Sequence, residues 1–485
     1  MKRVLLLCAA LGALAGGGVL AYSLLVPSIN NLMPLDRVAM PKGPAKGVVF
    51  LMSDASGWTA REDRISARLQ SAGDVVVGVD TPAYLATIGR KAHDCAYLVA
   101  DVERLSQQYQ RESGAKGYAA PIVAGIGLGG GIALDMVDQT PNVTIGGTAV
   151  ADPTTAIPFP VELCTPAGYF TTAAGEIYAL PHGAQVDPVS VLLTQQASDE
   201  IRTRINALKA GSPNVTLATA AAPSADAMVS LIETRVAAAA RIADALPVTL
   251  LPTKPKYDAM AIILSGDGGW RDIDSSIGKK LQADGVPVVG LDSLRYFWSR
   301  RTPQETASDL AALIEKYRSQ WGVKRVILVG YSFGADVLPA TYRALPQSAR
   351  DPIAQISLLG FSTAADWQIT VSGWFGSHSN AAADTMTDAK ALPMAKLQCV
   401  YGVEAHNDAC PPLGPLGAEL LETKGGHHFG GNYTLVEQAI LSGLTRRTHT
   451  PFPATRVSAS DLSSVHAMTA TAEPTPTKAH TTFYP

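Results

Sequence analysis

Gly330-Tyr331-Ser332-Phe333-Gly334 lies between the apolar run Val326–Val329 and a helix-forming stretch that reaches about Leu345. Glycines on both sides of a serine permit a corner so tight that the hydroxyl projects from it. A helix starting at that corner adds the positive end of its dipole and free N–H groups. Serine is a weak nucleophile without a base. The base is expected after the last strand, and the glycine loop "TKGGHHFGGNY" supplies His427 as first choice and His428 as second. The acid is expected after the preceding strand, where "YGVEAHNDACPP" offers Asp408 and Glu404. Asp408 is preferred because it stands two residues from Cys410, and a Cys399–Cys410 bridge would hold it still enough to orient an imidazole. The chemistry of such a set is acyl transfer through a serine ester. An oxyanion would need two donors. One is the N–H of Phe333; the other is expected from Gly268 or Gly269 in the turn Asp267-Gly268-Gly269-Trp270. Asp267 and Trp270 are the candidate substrate contacts, Asp267 because a carboxylate there would draw in a cationic group. Asp272 is open to the same use or to capping a helix.

Elements to position these residues can be read around them. Ala259–Ser265 is an apolar strand, Asp272–Ala283 an amphipathic helix and Val286–Leu291 a second strand. Thr302-Pro303-Gln304-Glu305 is a capping box with proline at the first helical position. The helix behind it aligns Leu310, Leu313, Ile314 and Tyr317 on one face. Further strands are expected at Ile353–Leu359, Leu397–Tyr401 and Ala418–Glu422, and a last helix at Asn432–Leu444. Alternating strands and helices imply an α/β fold, a parallel sheet with helices on both faces.

The same plan occurs twice. Trp58 and Trp270 are 270 − 58 = 212 residues apart. At that offset Ile65 matches Ile277, Leu69-Gln70 matches Leu281-Gln282, Val76-Val77-Gly78 matches Val288-Val289-Gly290, and Asp80 matches Asp292. A one-residue slip pairs Asp54 with Asp267. This is the pattern of an internal duplication. First-half strands are expected at Gly47–Met52, Val75–Val79, Pro121–Ala124 and Val143–Ala149, and a helix at Ser224–Leu246. "VAGIGLGGGIALD" repeats the serine turn with Gly127 in place of the serine, and His182 is the only late histidine of that half. Expected boundaries are 1–26 for a signal peptide or anchor, 45–246 and 247–256 for the first domain and a linker, 257–447 for the second domain, and 448–485 for a disordered Thr/Pro/Ala/Ser tail.

The chain has 485 residues and 39 basic against 42 acidic side chains, for a net charge of −3. No basic block or zinc-ligand spacing is present, so neither nucleic acid nor a metal is expected, nor any cofactor. Gly125-Ile126-Gly127-Leu128-Gly129 taken alone is too weak to indicate a nucleotide site. Lys2-Arg3 before the apolar run Val4–Val26 is an export pattern, cleaved or retained as an anchor. Outside that segment four cysteines remain, and export favours two disulfides, Cys95–Cys164 and Cys399–Cys410.

The motifs "SGDGGWRDID", "VGYSFGADVLP", "SGW", "YGVEAHNDAC" and "GGHHFGGNY", in that order, resemble the family of the bacterial virulence protein VirJ and its longer relative AcvB. The resemblance covers about Tyr257 to Leu444 closely. It implies two tandem α/β-hydrolase-like domains, the first degenerate and the second catalytic, in a periplasmic protein. It implies hydrolysis of aminoacyl-phosphatidylglycerol at the periplasmic membrane face, with Ser332, Asp408 and His427 as nucleophile, acid and base, and a link to virulence. The competing expectation is a non-catalytic accessory or scaffold protein that kept the fold and meets secretion-system proteins.

Overall fold

The computed structural model describes residues 32–449, apart from 93, 141–143, 166, 180–184, 186, 244–245, 371–381 and 406–407. The export segment, most of the tail, His182 and the "SGW" motif lie outside the described residues.

Two seven-stranded sheets form two α/β domains. The first contains β1 (Val38–Ala39), β2 (Val48–Met52), β3 (Val75–Val79), β4 (Ile122–Ile126), β5 (Gly147–Ala151), β6 (Val189–Thr194) and β7 (Val215–Ala220). Its order is β1-β3-β2-β4-β5-β6-β7. The second contains β8 (Val248–Leu251), β9 (Ala259–Leu264), β10 (Val288–Leu291), β11 (Arg325–Tyr331), β12 (Ile353–Leu359), β13 (Leu397–Gly402) and β14 (Glu419–Thr423), in the order β8-β10-β9-β11-β12-β13-β14. The two orders are the same. In each sheet only the first strand is antiparallel, against the third. The central strands are apolar throughout and fully buried, as strands covered on both faces must be.

The duplication extends to single hydrogen bonds. At the end of β2, Ser53 Oγ accepts Thr81 N–H at 3.0 Å while Thr81 Oγ1 donates to Ser53 O at 2.6 Å. At the end of β9, Ser265 and Ser293 repeat the pair at 2.9 and 2.6 Å. The expected linker 247–256 supplies β8, because its residues pair with β10 from Val248↔Leu291 to Leu251↔Val288. The stretch from Ala151 to Pro188 holds a short hairpin, Tyr169–Thr172 with Gly175–Tyr178, whose Ile157 bridge fastens it to the domain. Both disulfides are present, Cys95–Cys164 and Cys399–Cys410. Among the described residues no helix is long and apolar enough to cross a membrane.

The helices of the first domain include α1 (Ala60–Ala72), α2 (Val99–Glu112) and α3 (Gly127–Asp135), and those of the second include α4 (Asp272–Ala283) and α5 (Phe333–Ala344). The glycine-flanked corner of each domain opens directly into one of them, α3 in the first and α5 in the second.

Candidate active site

Ser332 stands between β11 and α5 with φ 51° and ψ −120°. A non-glycine residue there is strained, by about 1–3 kcal/mol. Its neighbours explain how the corner closes. A Cβ on Gly330 would lie 2.5 Å from Gly334 O, and one on Gly334 would lie 2.2 Å from Leu264 O. Neither position has room for a side chain, which is the physical content of the motif.

His427 Nε2 lies 2.9 Å from Ser332 Oγ. His428 turns away and its Nδ1 lies 3.5 Å from the Tyr331 hydroxyl. The first choice of histidine is therefore the one beside the serine. Its ring lies against Gly360, where a Cβ would sit 2.8 Å from Cε1. Burial, and then the neighbouring His428, lower the His427 pKa from 6.5 to about 4. A neutral imidazole at ordinary pH is the form that accepts a proton.

Asp408 and Glu404 both line the same cavity as Ser332 and His427. Asp408 accepts the Cys410 N–H at 2.9 Å, next to the Cys399–Cys410 bridge. Burial pushes its carboxyl up from 3.8 to about 6, against that hydrogen bond. Among the described residues neither carboxylate bonds His427.

The first domain calibrates the oxyanion position. Gly127 has φ 53°, close to the 51° of Ser332, at the same point between strand and helix. There Asp54 Oδ1 accepts Ala55 N–H at 2.7 Å and Leu128 N–H at 3.0 Å. Two converging N–H groups on one oxygen are the geometry of an oxyanion hole. Their counterparts in the second domain are the N–H groups of Gly268 and Phe333, of which the Gly268 N–H bonds the Asp267 carboxylate, as Ala55 bonds Asp54. Gly269 is a correction: its N–H donates to Gly266 O at 3.1 Å, and the residue serves a turn at φ 86°. Trp270 is a second correction. It is 2% exposed, within the core between α4 and β10, and its ring lies where a Cβ on Gly290 would be. Trp58 packs on Gly78 in the same way, so the shared tryptophan marks packing and not substrate. Asp272 heads α4 and is half exposed, at 58% of its side chain.

The cavity measures about 490 Å³. Asp267, Asp336, Asp366, Glu404 and Asp408 line it, and among the described residues no lysine or arginine does. Burial raises the Asp267 pKa, opposed by Arg271 and by hydrogen bonds from its own N–H and that of Gly268. Sequence reasoning misses Asp336. It is buried one turn into α5, accepts Ser362 N–H at 2.8 Å, and is pushed up to about 8 by burial. An aspartate on an otherwise apolar helix face is the signal that could have found it. Gln368, Ile369 and Thr370 form a wall that no motif announces. Among the described residues no group of His, Cys, Asp or Glu could hold a metal ion.

Residues 258–448 match the family model of the bacterial virulence protein VirJ. No curated protein is significantly similar to the chain in sequence. Among solved structures, Est1E from Butyrivibrio proteoclasticus with bound ferulic acid is 12% identical, with 42% of this chain and 95% of that one covered and a TM-score of 0.31. An a/b serine hydrolase without lid from Xanthomonas campestris gives 17%, 43%, 90% and 0.28. The type II thioesterase YbtT of the yersiniabactin pathway gives 17%, 42%, 99% and 0.30. Scores this low add nothing to the strand order and the serine turn, which define the fold. That fold and the family match together support a hydrolase.

Proposed function

Because residues 258–448 match the VirJ family model, we propose that this chain is a periplasmic serine hydrolase that cleaves the aminoacyl ester of aminoacyl-phosphatidylglycerol, in its lysyl or alanyl form. The observation that carries the proposal is the 2.9 Å contact between His427 Nε2 and a serine held at positive φ, at the mouth of a cavity lined by carboxylates.

Ser332 Oγ attacks the ester carbonyl as His427 Nε2 takes its proton. The N–H groups of Phe333 and Gly268 receive the oxyanion, the latter once the Asp267 carboxylate it bonds at rest turns to the substrate, and Asp408 steadies the imidazolium. Collapse expels the glycerol oxygen of the lipid, which takes the proton from His427. Water, activated by the same imidazole, then attacks the aminoacyl-serine ester, and free amino acid leaves. Asp267 meets the α-ammonium next to the scissile carbonyl. An ionised carboxylate near an oxyanion hole opposes the charge that develops there, and a bound ammonium offsets it. Export is supported by the two disulfides, which persist in oxidising compartments.

The test is incubation with defined lipids in vesicles. Free lysine or alanine is expected, with no fatty acid. Fatty acid without amino acid would make the protein a phospholipase. Failure of the purified protein to react with a fluorophosphonate would favour the scaffold alternative.

A further inference from the structure

Two of the first domain's contacts with the second lie beside the cavity, and both of these come from α2. Glu103 forms an ion pair with Arg271, and their side chains are only 14% and 26% exposed. Arg271 adjoins the oxyanion turn. Its N–H donates to Gly269 O at 2.9 Å, and a Cβ on Gly268 would lie 3.1 Å from its Nε. The guanidinium thus lies against Gly268, the second oxyanion donor of the proposed mechanism.

Eight residues on, about 12 Å along the helix, Arg111 makes the other contact. Its guanidinium stacks on the Trp298 ring at 3.6 Å, donates to Trp298 O at 2.6 Å, and also donates to Ile369 O. Ile369 belongs to the cavity wall. Its own N–H donates to Phe297 O at 2.9 Å, and the Phe297 ring meets Phe333 edge-on at 5.0 Å. Behind Arg111, Trp298 Nε1 donates to Ala115 O at 2.9 Å, and Tyr118 lies 5.1 Å from the Trp298 ring. Tyr118, a first-domain residue, is part of the second domain's hydrophobic core.

Adhesion between domains could fall anywhere on the two surfaces. The Glu103 and Arg111 contacts fall on the turn that holds Gly268 and on the Gln368–Thr370 wall of the cavity. Such groups act only when their geometry is fixed before reaction, to within about 0.5 Å.

We propose that the degenerate first domain is a positioning element of the second domain's site: Glu103, through Arg271, fixes the Gly268 donor, and Arg111 fixes the Gln368–Thr370 wall. The kinetic part of this inference rests on the hydrolase reading; the exchange part does not.

The experiment uses the full chain. Glu103→Gln should lower kcat on a nitrophenyl ester by on the order of tenfold with KM nearly unchanged, because an oxyanion donor acts in the transition state. Glu103→Asp should retain more kcat than Glu103→Gln. Arg111→Lys should raise KM for aminoacyl lipid several-fold. By hydrogen exchange, amides 268–271 should exchange faster in Glu103→Gln, and amides 368–370 faster in Arg111→Lys. Unchanged exchange at both segments would overturn the proposal whether or not the protein is active. So would wild-type kcat and KM in folded variants. A lowered melting temperature with unchanged kcat per fluorophosphonate-titrated site would reduce α2 to adhesion and overturn it as well. If the wild type ignores fluorophosphonate, the hydrolase reading fails, and exchange alone decides the positioning role.

Discussion

Asp54 Oδ1 accepts the backbone N–H of Leu128 at 3.0 Å. The first domain's turn is therefore already filled by a carboxylate from its own chain. A Cβ on Gly127 would lie 2.0 Å from that oxygen, at a backbone φ of 53°. A serine side chain and the Asp54 carboxylate need the same space. Gly127→Ser should not create a nucleophile, and Gly127→Ala should destabilise the first domain by about 1–3 kcal/mol. Peptide mapping after fluorophosphonate treatment should find label at Ser332 only. Label at position 127 in the serine variant would contradict this.

Ser332→Ala should lower kcat by about 10³-fold or more, with the fold intact by circular dichroism. A folded variant that keeps most of its activity would remove the nucleophile assignment.

The pH profile distinguishes the two candidate acids. Burial raises Asp408 to about 6, and burial with His428 lowers His427 to about 4. Both groups must be deprotonated for base catalysis, so activity is lost as pH falls, and the higher pKa is met first. The acid limb of kcat/KM should lie near pH 6. Asp408→Asn should cost about 10³–10⁴ in kcat and move that limb to lower pH, whereas Glu404→Gln should leave it in place. The opposite pattern would transfer the role to Glu404.

Asp267→Asn should weaken kcat/KM for aminoacyl lipid more than for a neutral nitrophenyl ester. The gap expected for a lost charge-assisted hydrogen bond is about 1.5–3 kcal/mol. Equal losses on both substrates would show that Asp267 shapes the turn and does not meet the ammonium.

The centre of the second sheet is legible in the sequence because β9 and β10 are buried on both faces and read as unbroken apolar runs. The expected strand Ile353–Leu359 agrees with the observed one to the residue. The capping box at Thr302 is legible because its two hydrogen bonds require fixed residue types three apart. In the first domain β6 and β7 escape the sequence reading. β6 comes after the Pro- and Gly-rich stretch that hides its start, and β7 exposes Thr216, Ala218 and Thr219 at a sheet edge. Ser332 and His427 are legible because glycines surround them for steric reasons. Trp270 misleads, since a large aromatic beside a catalytic turn looks the same in sequence whether it faces substrate or core. Arg111 and Glu103 have no local signature at all: their partners are 187 and 168 residues away.

The seat of Tyr118 in the second domain's core bears on how this chain could change over time. Once the two copies had diverged, the first could not simply be deleted. Its removal would leave a gap beside Trp298 and an indole open to water. The first domain is thereby held in the chain through packing, whatever chemistry either domain carries.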